Sequence, residues 1–594
     1  METKLNPISQ TSWDLADLFP SPESEELEIA FRTLDEQAGL FEAYRSKLTD
    51  SLSVESFLEI IRHLEKISNL GNRLVGYSSL LFTQDTQDQQ AISLVGRVEQ
   101  FSASLSNRVL FFSLWWKDLS DEGCSRLMEG AGEYRYFLEE MRHFKPHTLS
   151  EPQEKVINLK NVTGSSALIN LYDQITNRYC FNLVVEGEQK KLTRGELMVY
   201  ARNPGPHLRQ AAYQELYRVY AQDGPILGQI YQNLVRDWHN EQVLLRSYNT
   251  PLAARNLSND LPDPVVDTLL SVCQRNAPIF QRYFRLKARW LNMDSLQRSD
   301  LYAPLTGTDK VYPFQDGVQL VYKALQAFDP QFSSLAQKVF LERHIDSEIR
   351  PGKRSGAFCL SAAPELTPWI LLNYQGKADD VSTMAHELGH AIHSLLASHH
   401  NLFTFHASLP LAETASTFAE IALMDHMLLE VDDELVRRDM LFKRMDDTYA
   451  TILRQAYFAL FEKQAHDMIR ENASSDDLSE AYFDNLKEQF GDSVILGSEF
   501  RWEWVSIPHI YHTPFYVYAY SFGQLLVLSL YQRYIQEGDS FKPDYFKILA
   551  SGGSLSPVEI LANAGVDVYQ DAFWQGGFNK IEQIVTQLEY IPVK

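Results

Sequence analysis

Apolar residues recur at helical spacing along most of the chain. Within residues 435–472 they fall three or four positions apart, so that they share one face of a helix. Members of this series are Leu441, Met445, Tyr449 and Ile452. The polar run 472–477 interrupts the series and suits the cap of a further helix, which is predicted to end at Phe490, before Gly491. This pattern predicts a mainly α fold.

Strand signals are few and short. Residues 181–191 contain an apolar, β-branched run followed by Glu186 and Gly187, which predicts a small hairpin. Residues 369–374 form a second short run of apolar residues that favours a strand. The sequence therefore predicts helices with a few short strands.

The chain is predicted to divide near residue 200. Residues 201–206 contain two prolines and a glycine, a composition typical of a connection between folded segments. We therefore predict an N-terminal helical region over residues 1–200 and a second region over residues 201–594, which carries the chemistry discussed next.

The most informative motif is His-Glu-Leu-Gly-His at residues 386–390. On a helix, residues four positions apart lie one above the other, so His386 and His390 can bind one metal ion. Glu387 stands beside the first histidine, where its carboxylate can reach a water at the metal. Zinc binds imidazole nitrogen readily and, in catalytic sites, keeps one position open. The motif indicates a zinc peptidase; two unrelated histidines on a solvated helix are the alternative.

A catalytic zinc site needs a third protein ligand, and Glu413 is the candidate. The run His-His-Asn at residues 399–401 ends the first helical pattern, and a second one begins at Pro410, so a returning helix can bring Glu413 to the metal. Glu420 lies two turns further along, on the same face as Glu413. We interpret Glu420 and Thr417 as candidates for orienting the ligands by hydrogen bonds, with a surface carboxylate as the alternative for Glu420.

Several segments together resemble the thimet-type oligopeptidase family, and within it the bacterial oligoendopeptidase F branch. The resemblance covers most of the chain. The segments that carry it are Gly-Ala-Phe-Cys at 356–359, Pro-Trp-Ile-Leu-Leu-Asn-Tyr at 368–374, the histidine motif, Glu-Thr-Ala-Ser-Thr at 413–417, Ser-Gly-Gly-Ser at 551–554, and the runs 557–561 and 565–567. The resemblance implies one zinc ion per chain, a nearly all-helical fold of two lobes with a deep central channel, and cleavage of short peptides.

The resemblance also implies a late histidine and tyrosines that face the zinc. His512, Tyr516 and Tyr520 match that pattern best, although the spacing leaves His509 as a rival for the histidine. Pro514 suits the start of a helix, on which Tyr516 and Tyr520 would share one face. The alternative is a helix that simply packs its aromatic residues into the core.

These parts predict a peptidase that uses a metal-activated water. Zinc would be held by His386, His390 and Glu413, and Glu387 would act as the general base. The oxyanion would receive a hydrogen bond from a tyrosine hydroxyl or from His512. A substrate peptide could also lie along the strand predicted at 369–374 and use its unpaired backbone groups, unless that strand is buried and paired on both sides.

Three functions compete at this point. The leading one is a zinc-dependent endopeptidase that acts on short, unfolded oligopeptides. A zinc carboxypeptidase of the same mechanism is the first alternative, although it would need a basic group for the terminal carboxylate. The second alternative is a non-catalytic, peptide-binding helical protein. The presence of Glu387 argues against this alternative, because a structural metal site does not require that carboxylate.

Charge and composition narrow the partners and the compartment. The formal net charge of −24 argues against nucleic acid, whose phosphates require a basic surface. The four cysteines are scattered, which favours a reducing compartment. Residues 505–532 lack Asp, Glu, Lys and Arg but contain histidines, two prolines and many tyrosines, so we expect a buried site there and no membrane partner. Residues 1–7 do not resemble a secretory signal, and we expect a cytoplasmic protein. The sequence does not predict its oligomeric state.

Overall fold

The computed structural model describes residues 9–305 and 310–592, and 72% of the chain is helical. The strands are few and short, so the mainly α fold predicted from the sequence is confirmed. Residues 1–7, on which we base the expectation about a secretory signal, lie outside the described residues. None of the helices in the described part of the chain combines the length and the apolar character that crossing a membrane requires.

The chain forms two compact units, each assembled from three separate segments. The first unit consists of Met1–Lys145, Asp309–Glu430 and Glu537–Val566, and the second consists of Pro146–Thr308, Val431–Gln536 and Asp567–Lys594. The predicted boundary near residue 200 cuts the chain once, whereas each of these units combines three segments; the predicted boundary therefore stays a prediction. The two lobes and the central channel that the resemblance implies also stay predictions.

The first unit contains the helix that carries the histidine motif. Its α-helices are α1 (Glu25–Glu42), α2 (Val54–Gln84), α3 (Gln89–Asp118), α4 (Asp121–Met128), α5 (Arg135–His143), α13 (Phe314–Phe328), α14 (Pro330–Leu341), α15 (Ala378–Leu396), α16 (Leu402–Phe405), α17 (Leu409–Ala412), α18 (Thr414–Glu430), α24 (Lys542–Ala550) and α25 (Pro557–Asn563). Its strands are β4 (Ile345–Asp346), β5 (Phe358–Leu360) and β6 (Trp369–Leu371). Short 3₁₀ turns lie at Ala43–Lys47, Gly132–Tyr134 and Gly538–Ser540.

The second unit is also mainly helical. Its α-helices are α6 (Glu151–Thr163), α7 (Ser165–Asn177), α8 (Arg194–Tyr200), α9 (Pro206–Trp238), α10 (Pro251–Ser258), α11 (Asp263–Arg275), α12 (Ala277–Trp290), α19 (Glu434–Thr448), α20 (Arg454–Arg470), α21 (Ser475–Phe490), α22 (Pro508–His512), α23 (Tyr518–Glu537) and α26 (Asp571–Tyr590). Its strands are β1 (Phe181–Val185), β2 (Glu188–Leu192), β3 (Leu296–Gln297) and β7 (Val494–Ile495), and β1 pairs with β2 as the predicted hairpin. π-helical turns lie at His239–Leu245 and Tyr449–Leu453, and 3₁₀ turns at Lys145–His147, Arg298–Asp300 and Ser498–Ser506.

The helices over residues 434–490 show why local signals predict this region well. The break predicted at residues 472–477 is real, because the Ser474 side chain accepts a hydrogen bond from the Asp477 backbone N–H and starts α21. Gly491 ends that helix with φ at 54°, a left-handed conformation that glycine adopts at little cost. The predicted start and end of α21 are confirmed.

A three-stranded sheet in the first unit lies against the motif helix α15. The strand order is β4, β6, β5, with β4 parallel and β5 antiparallel to β6. The predicted strand at residues 369–374 therefore exists as β6, but it is buried and paired on both sides. Of the two possibilities left open for this strand, the buried and doubly paired one holds, and its backbone groups are not free for a substrate. The strand at the sheet edge beside α15 is β5.

Candidate metal centre

The two histidines of the motif converge on one point beside α15. Their ring centroids are 4.8 Å apart, and the Nε2 atoms of His386 and His390 are 3.2 Å apart. The two side chains are 27% and 25% exposed. Regular helix spacing alone thus places two imidazole nitrogens where one ligand can reach both.

Glu413 brings the third group to the same point. It lies at the junction of α17 and α18, and its Oε2 atom is 3.3 Å from His386 Nε2 and 3.5 Å from His390 Nε2. Ser416, in the first turn of α18, donates a hydrogen bond of 2.7 Å to this same oxygen. The Ser416 hydroxyl therefore fixes the carboxylate, a role not predicted from its position in the sequence.

The separations between these atoms test whether a metal fits. A tetrahedral ion with zinc-like ligand distances keeps its ligand atoms about 3.3 to 3.6 Å apart. The observed separations are 3.2, 3.3 and 3.5 Å, and two imidazoles with one carboxylate are a donor set that zinc accepts. The described residues thus contain a candidate His-His-Glu metal site that fits the ion implied by the resemblance.

Glu420 orients the first histidine. Its Oε1 atom lies at hydrogen-bond distance from His386 Nδ1, and a carboxylate can only accept, so Nδ1 carries a hydrogen and Nε2 is the nitrogen left to bind a metal. Ser382 donates to the other oxygen of Glu420 at 3.4 Å. Glu420 therefore occupies the orienting position that its spacing suggests. Thr417 is buried on the same helix, and its role in orienting the ligands by a hydrogen bond stays a prediction.

Burial and charge shift the pKa values of the motif residues. Burial lowers the pKa of His386, but the hydrogen bond to Glu420 and the negative charges of Glu420, Glu413 and Glu387 together outweigh this effect and raise the pKa to about 9. Burial raises the pKa of the Glu387 carboxyl to about 7, against the attraction of His386. A carboxyl with a pKa near neutrality can both take up and return a proton.

Gly389 allows the two ligand-bearing helices to approach each other. A Cβ atom at this position would lie 2.5 Å from Ser416 Cα and 2.6 Å from the Ala415 carbonyl oxygen. Any side chain would push α18 away from α15 and with it Glu413, which precedes α18. A glycine inside a strong helical pattern is the only sign of this contact in the motif itself, and the identity of the neighbouring helix cannot be read from it.

A cavity of about 430 Å³ opens beside the two histidines and Glu387. Its walls come from the edge strand β5, from α15 and from the loop after α16. The lining residues include Phe358, Cys359, Ser361, His393, Phe405 and His406. Burial raises the pKa of the Cys359 thiol well above its ordinary value, so this cysteine is a neutral wall residue.

The Ser-Gly-Gly-Ser segment supports one wall of this cavity. The Gly553 backbone N–H donates to the Thr404 carbonyl at 2.9 Å. A Cβ atom at Gly553 would lie 2.3 Å from the His406 carbonyl oxygen, and one at Gly552 would lie 2.6 Å from the Phe405 carbonyl oxygen. The two glycines thus hold the loop that carries Phe405 and His406 by direct backbone contact.

The late histidines belong to the second unit and have different partners. His512 Nε2 lies 2.9 Å from Asp173 Oδ1. His509 Nε2 lies 3.4 Å from the Tyr520 hydroxyl, and the Tyr520 ring meets the Tyr516 ring with centroids 5.3 Å apart. His509, Tyr516 and Tyr520 therefore form one local group, whereas His512 is engaged elsewhere. Catalytic roles for His512, Tyr516 and Tyr520 stay predictions.

Residues 514–517 form a turn, so the helix start predicted at Pro514 was wrong. The helix α23 begins at Tyr518, and Phe515 has φ at 59°, which a helix does not tolerate. Buried Glu462 accepts a 2.9 Å hydrogen bond from the Phe515 N–H, and Arg255 donates to the Pro514 carbonyl at 3.0 Å. These two distant side chains fix the turn and override the local preference of proline.

Two family models match the sequence. The model of Peptidase family M3 matches residues 199–580, and the model described as Oligopeptidase F matches residues 115–181. The first match contains the histidine motif, Glu413 and the late aromatic segment. The resemblance stated from the motifs is thereby confirmed.

Curated relatives and solved structures agree with these matches. The chain is 27% identical to chromosomal oligoendopeptidase F of Lactococcus lactis subsp. cremoris, over 98% of this chain and 97% of that protein. It is 25% identical to oligopeptidase PepF of Bacillus subtilis, over 99% of this chain and 88% of that protein. A solved chain from Chlamydophila abortus superposes with a TM-score of 0.89 at 24% identity and 99% coverage of both chains. Oligoendopeptidase-F from Enterococcus faecium gives 0.70 at 24% identity, with 96% and 99% covered, and these structures support the fold alone.

Proposed function

The chain belongs to peptidase family M3, and from this premise we propose that it is a zinc-dependent endopeptidase. Its substrates are short, unfolded oligopeptides, and it hydrolyses internal peptide bonds. The observation that supports the proposal most strongly is the convergence of His386, His390 and Glu413 within 3.5 Å of one another, next to the buried carboxyl of Glu387.

One zinc ion per chain is the cofactor in this proposal. Without metal, a proton on His386, whose pKa is about 9, offsets the negative charge of Glu413. A zinc ion would take the place of that proton, and the donor types favour zinc over magnesium or calcium, which prefer oxygen ligands. Bound zinc supplies Lewis acidity: it lowers the pKa of a water and polarises the carbonyl of the scissile bond.

The protein groups carry the protons. The Glu387 carboxylate accepts a proton from the water while the water oxygen attacks the peptide carbonyl carbon. Glu387 then gives that proton to the leaving amine nitrogen as the C–N bond breaks. The Glu420 carboxylate holds the His386 ring through Nδ1, and the Ser416 hydroxyl holds Glu413. These contacts keep the ligand geometry fixed while Glu387 changes its protonation state.

The oxyanion requires hydrogen-bond donors in addition to the cation. We assign this role to the late segment, with Tyr516, Tyr520 and a histidine as donors, on the strength of the family resemblance. His512 matches the family pattern, but the contact of His509 with Tyr520 favours His509 as the histidine of this group. Peptide substrates are the partners in this proposal, and the cytoplasmic location stays a prediction.

Peptides of graded length with an internal quencher test the proposal. We expect internal cleavage, mapped by mass spectrometry of the products, which disappears on chelation and returns with zinc. Loss of activity as the peptides lengthen would support the restriction to oligopeptides. Trimming from the carboxyl end alone would favour a carboxypeptidase, and no cleavage of any peptide by the zinc-loaded chain would contradict the assignment as an enzyme.

A further inference from the structure

A second group of metal-binding side chains lies in the first unit, apart from the histidine motif. It consists of Asp17, Glu342 and His344, whose ligand atoms all lie within 4.8 Å of one another. His344 stands directly before β4, Glu342 caps the end of α14, and Asp17 belongs to the turn that follows Asp14. The three residues thus come from two regions of the chain that are far apart in sequence.

The imidazole of His344 is fixed in position and tautomer. Its ring stacks on Trp369 with centroids 4.1 Å apart, and its Nδ1 atom lies 2.9 Å from the Thr367 carbonyl oxygen. A carbonyl oxygen only accepts, so Nδ1 must carry the hydrogen. In the neutral ring, Nε2 then presents a lone pair.

That lone pair faces another acceptor. His344 Nε2 lies 3.4 Å from Asp17 Oδ2, and Glu342 adds a second carboxylate. The His344 side chain is only 1% exposed. With Nδ1 committed to Thr367, a cation among these three groups would relieve the repulsion between the Nε2 lone pair and the two carboxylates.

The candidate catalytic centre shows the same arrangement. There, His386 Nδ1 is held by Glu420 and Nε2 lies 3.3 Å from Glu413. In both places a hydrogen bond on Nδ1 turns the lone pair of Nε2 toward a carboxylate, at a separation that matches two ligands of one zinc ion, about 3.3 to 3.6 Å. The second group differs in having two carboxylates and one imidazole, with both carboxylates exposed.

We propose that Asp17, Glu342 and His344 bind a second divalent metal ion, of the zinc type, with a structural role. Hydrogen bonds already join the same segments: the Asp14 N–H donates to the Arg343 carbonyl at 2.8 Å, and Trp369 Nε1 donates to the Asp14 carbonyl at 2.8 Å. The ion adds a link between this N-terminal turn and the sheet that contains β6. It takes no part in peptide hydrolysis.

Zinc binding to the full-length chain tests the proposal. We expect the wild-type protein to bind one zinc ion tightly and a second one more weakly as free zinc is raised, measured by equilibrium dialysis and elemental analysis. The double variant Asp17→Asn/Glu342→Gln changes only exposed groups, and it should keep the first ion and lose the second. His344→Gln should do the same, provided that its melting temperature shows a folded protein.

Asp14→Asn is the matched control, because it removes a carboxylate from the same turn but not from the cluster; it should keep both ions. The second ion should also slow hydrogen exchange in residues 10–19 of the wild type and not of the double variant. A wild-type chain that binds only one ion at submillimolar free zinc would overturn the proposal. A second ion that the double variant retains would overturn it equally.

Discussion

The helix pair α15 and α18 and the late segment 508–520 are held in position by different means. In the first, ligand placement follows from helical spacing and one close contact at Gly389. In the second, His509 meets Tyr520 across a turn that depends on Glu462 and Arg255, which lie far away in sequence. The metal-binding residues are thus placed mainly by regular helix geometry, whereas the residues proposed to bind the oxyanion are placed by tertiary contacts.

The largest effect should come from Glu387→Gln, on the helical side of this comparison. Glutamine has nearly the same shape but cannot take up the proton, so we expect turnover to fall by about 10²- to 10⁴-fold. Zinc content, measured by elemental analysis of the same sample, should stay at the wild-type level because the three ligands are intact. A variant with wild-type turnover would remove Glu387 as the base.

The second largest effect should distinguish the two late histidines. His509→Gln removes the partner of Tyr520, and losing a group that stabilises the oxyanion costs about 10²-fold in kcat. His512→Gln is the matched control, because His512 is paired with Asp173 and should change kcat little. Steady-state kinetics with bound zinc checked in both variants decides the matter; a larger loss in His512→Gln would reverse the assignment.

A smaller effect is expected from Gly389→Ala, which tests the close helix contact. The added methyl group meets the backbone of α18, so we expect a loss of about 1 to 3 kcal/mol in the free energy of unfolding and weaker zinc retention against a competing chelator. Gly96→Ala on α3 is the control, since a Cβ atom there meets nothing within 4 Å. That variant should be neutral or more stable by about 0.5 to 1 kcal/mol; equal behaviour of the two variants would show that the contact is unimportant.

The turn should respond to pH through Glu462. Burial raises the pKa of this carboxyl to about 8, above the value of about 4.3 expected in the unfolded chain. Its protonation therefore contributes stability that is fully present below about pH 4 and is lost as the pH rises through about 8. Urea unfolding of Glu462→Gln should show a smaller fall in stability between about pH 5 and pH 8.5 than the wild type. The same fall in both proteins would contradict this origin.

The sequence sufficed for the parts that local rules govern. The mainly α fold, the hairpin of β1 and β2 and the bounds of α21 follow from periodicity and caps, and the motif at residues 386–390 gave both histidines. Contacts between segments far apart in sequence could not be predicted in this way. Pro514 starts no helix because Glu462 holds Phe515 in a turn, and β6 is closed to a substrate because β4 and β5 pair with it. The contact of Gly389 with α18 likewise exists only once the two helices are packed.

The most direct test of the central claim is a zinc titration of the fully demetallated chain, with bound zinc and peptide turnover followed together. We expect no measurable turnover without metal, a rise in proportion to the first equivalent bound, and no further rise with a second. Undiminished hydrolysis by the metal-free chain would contradict it.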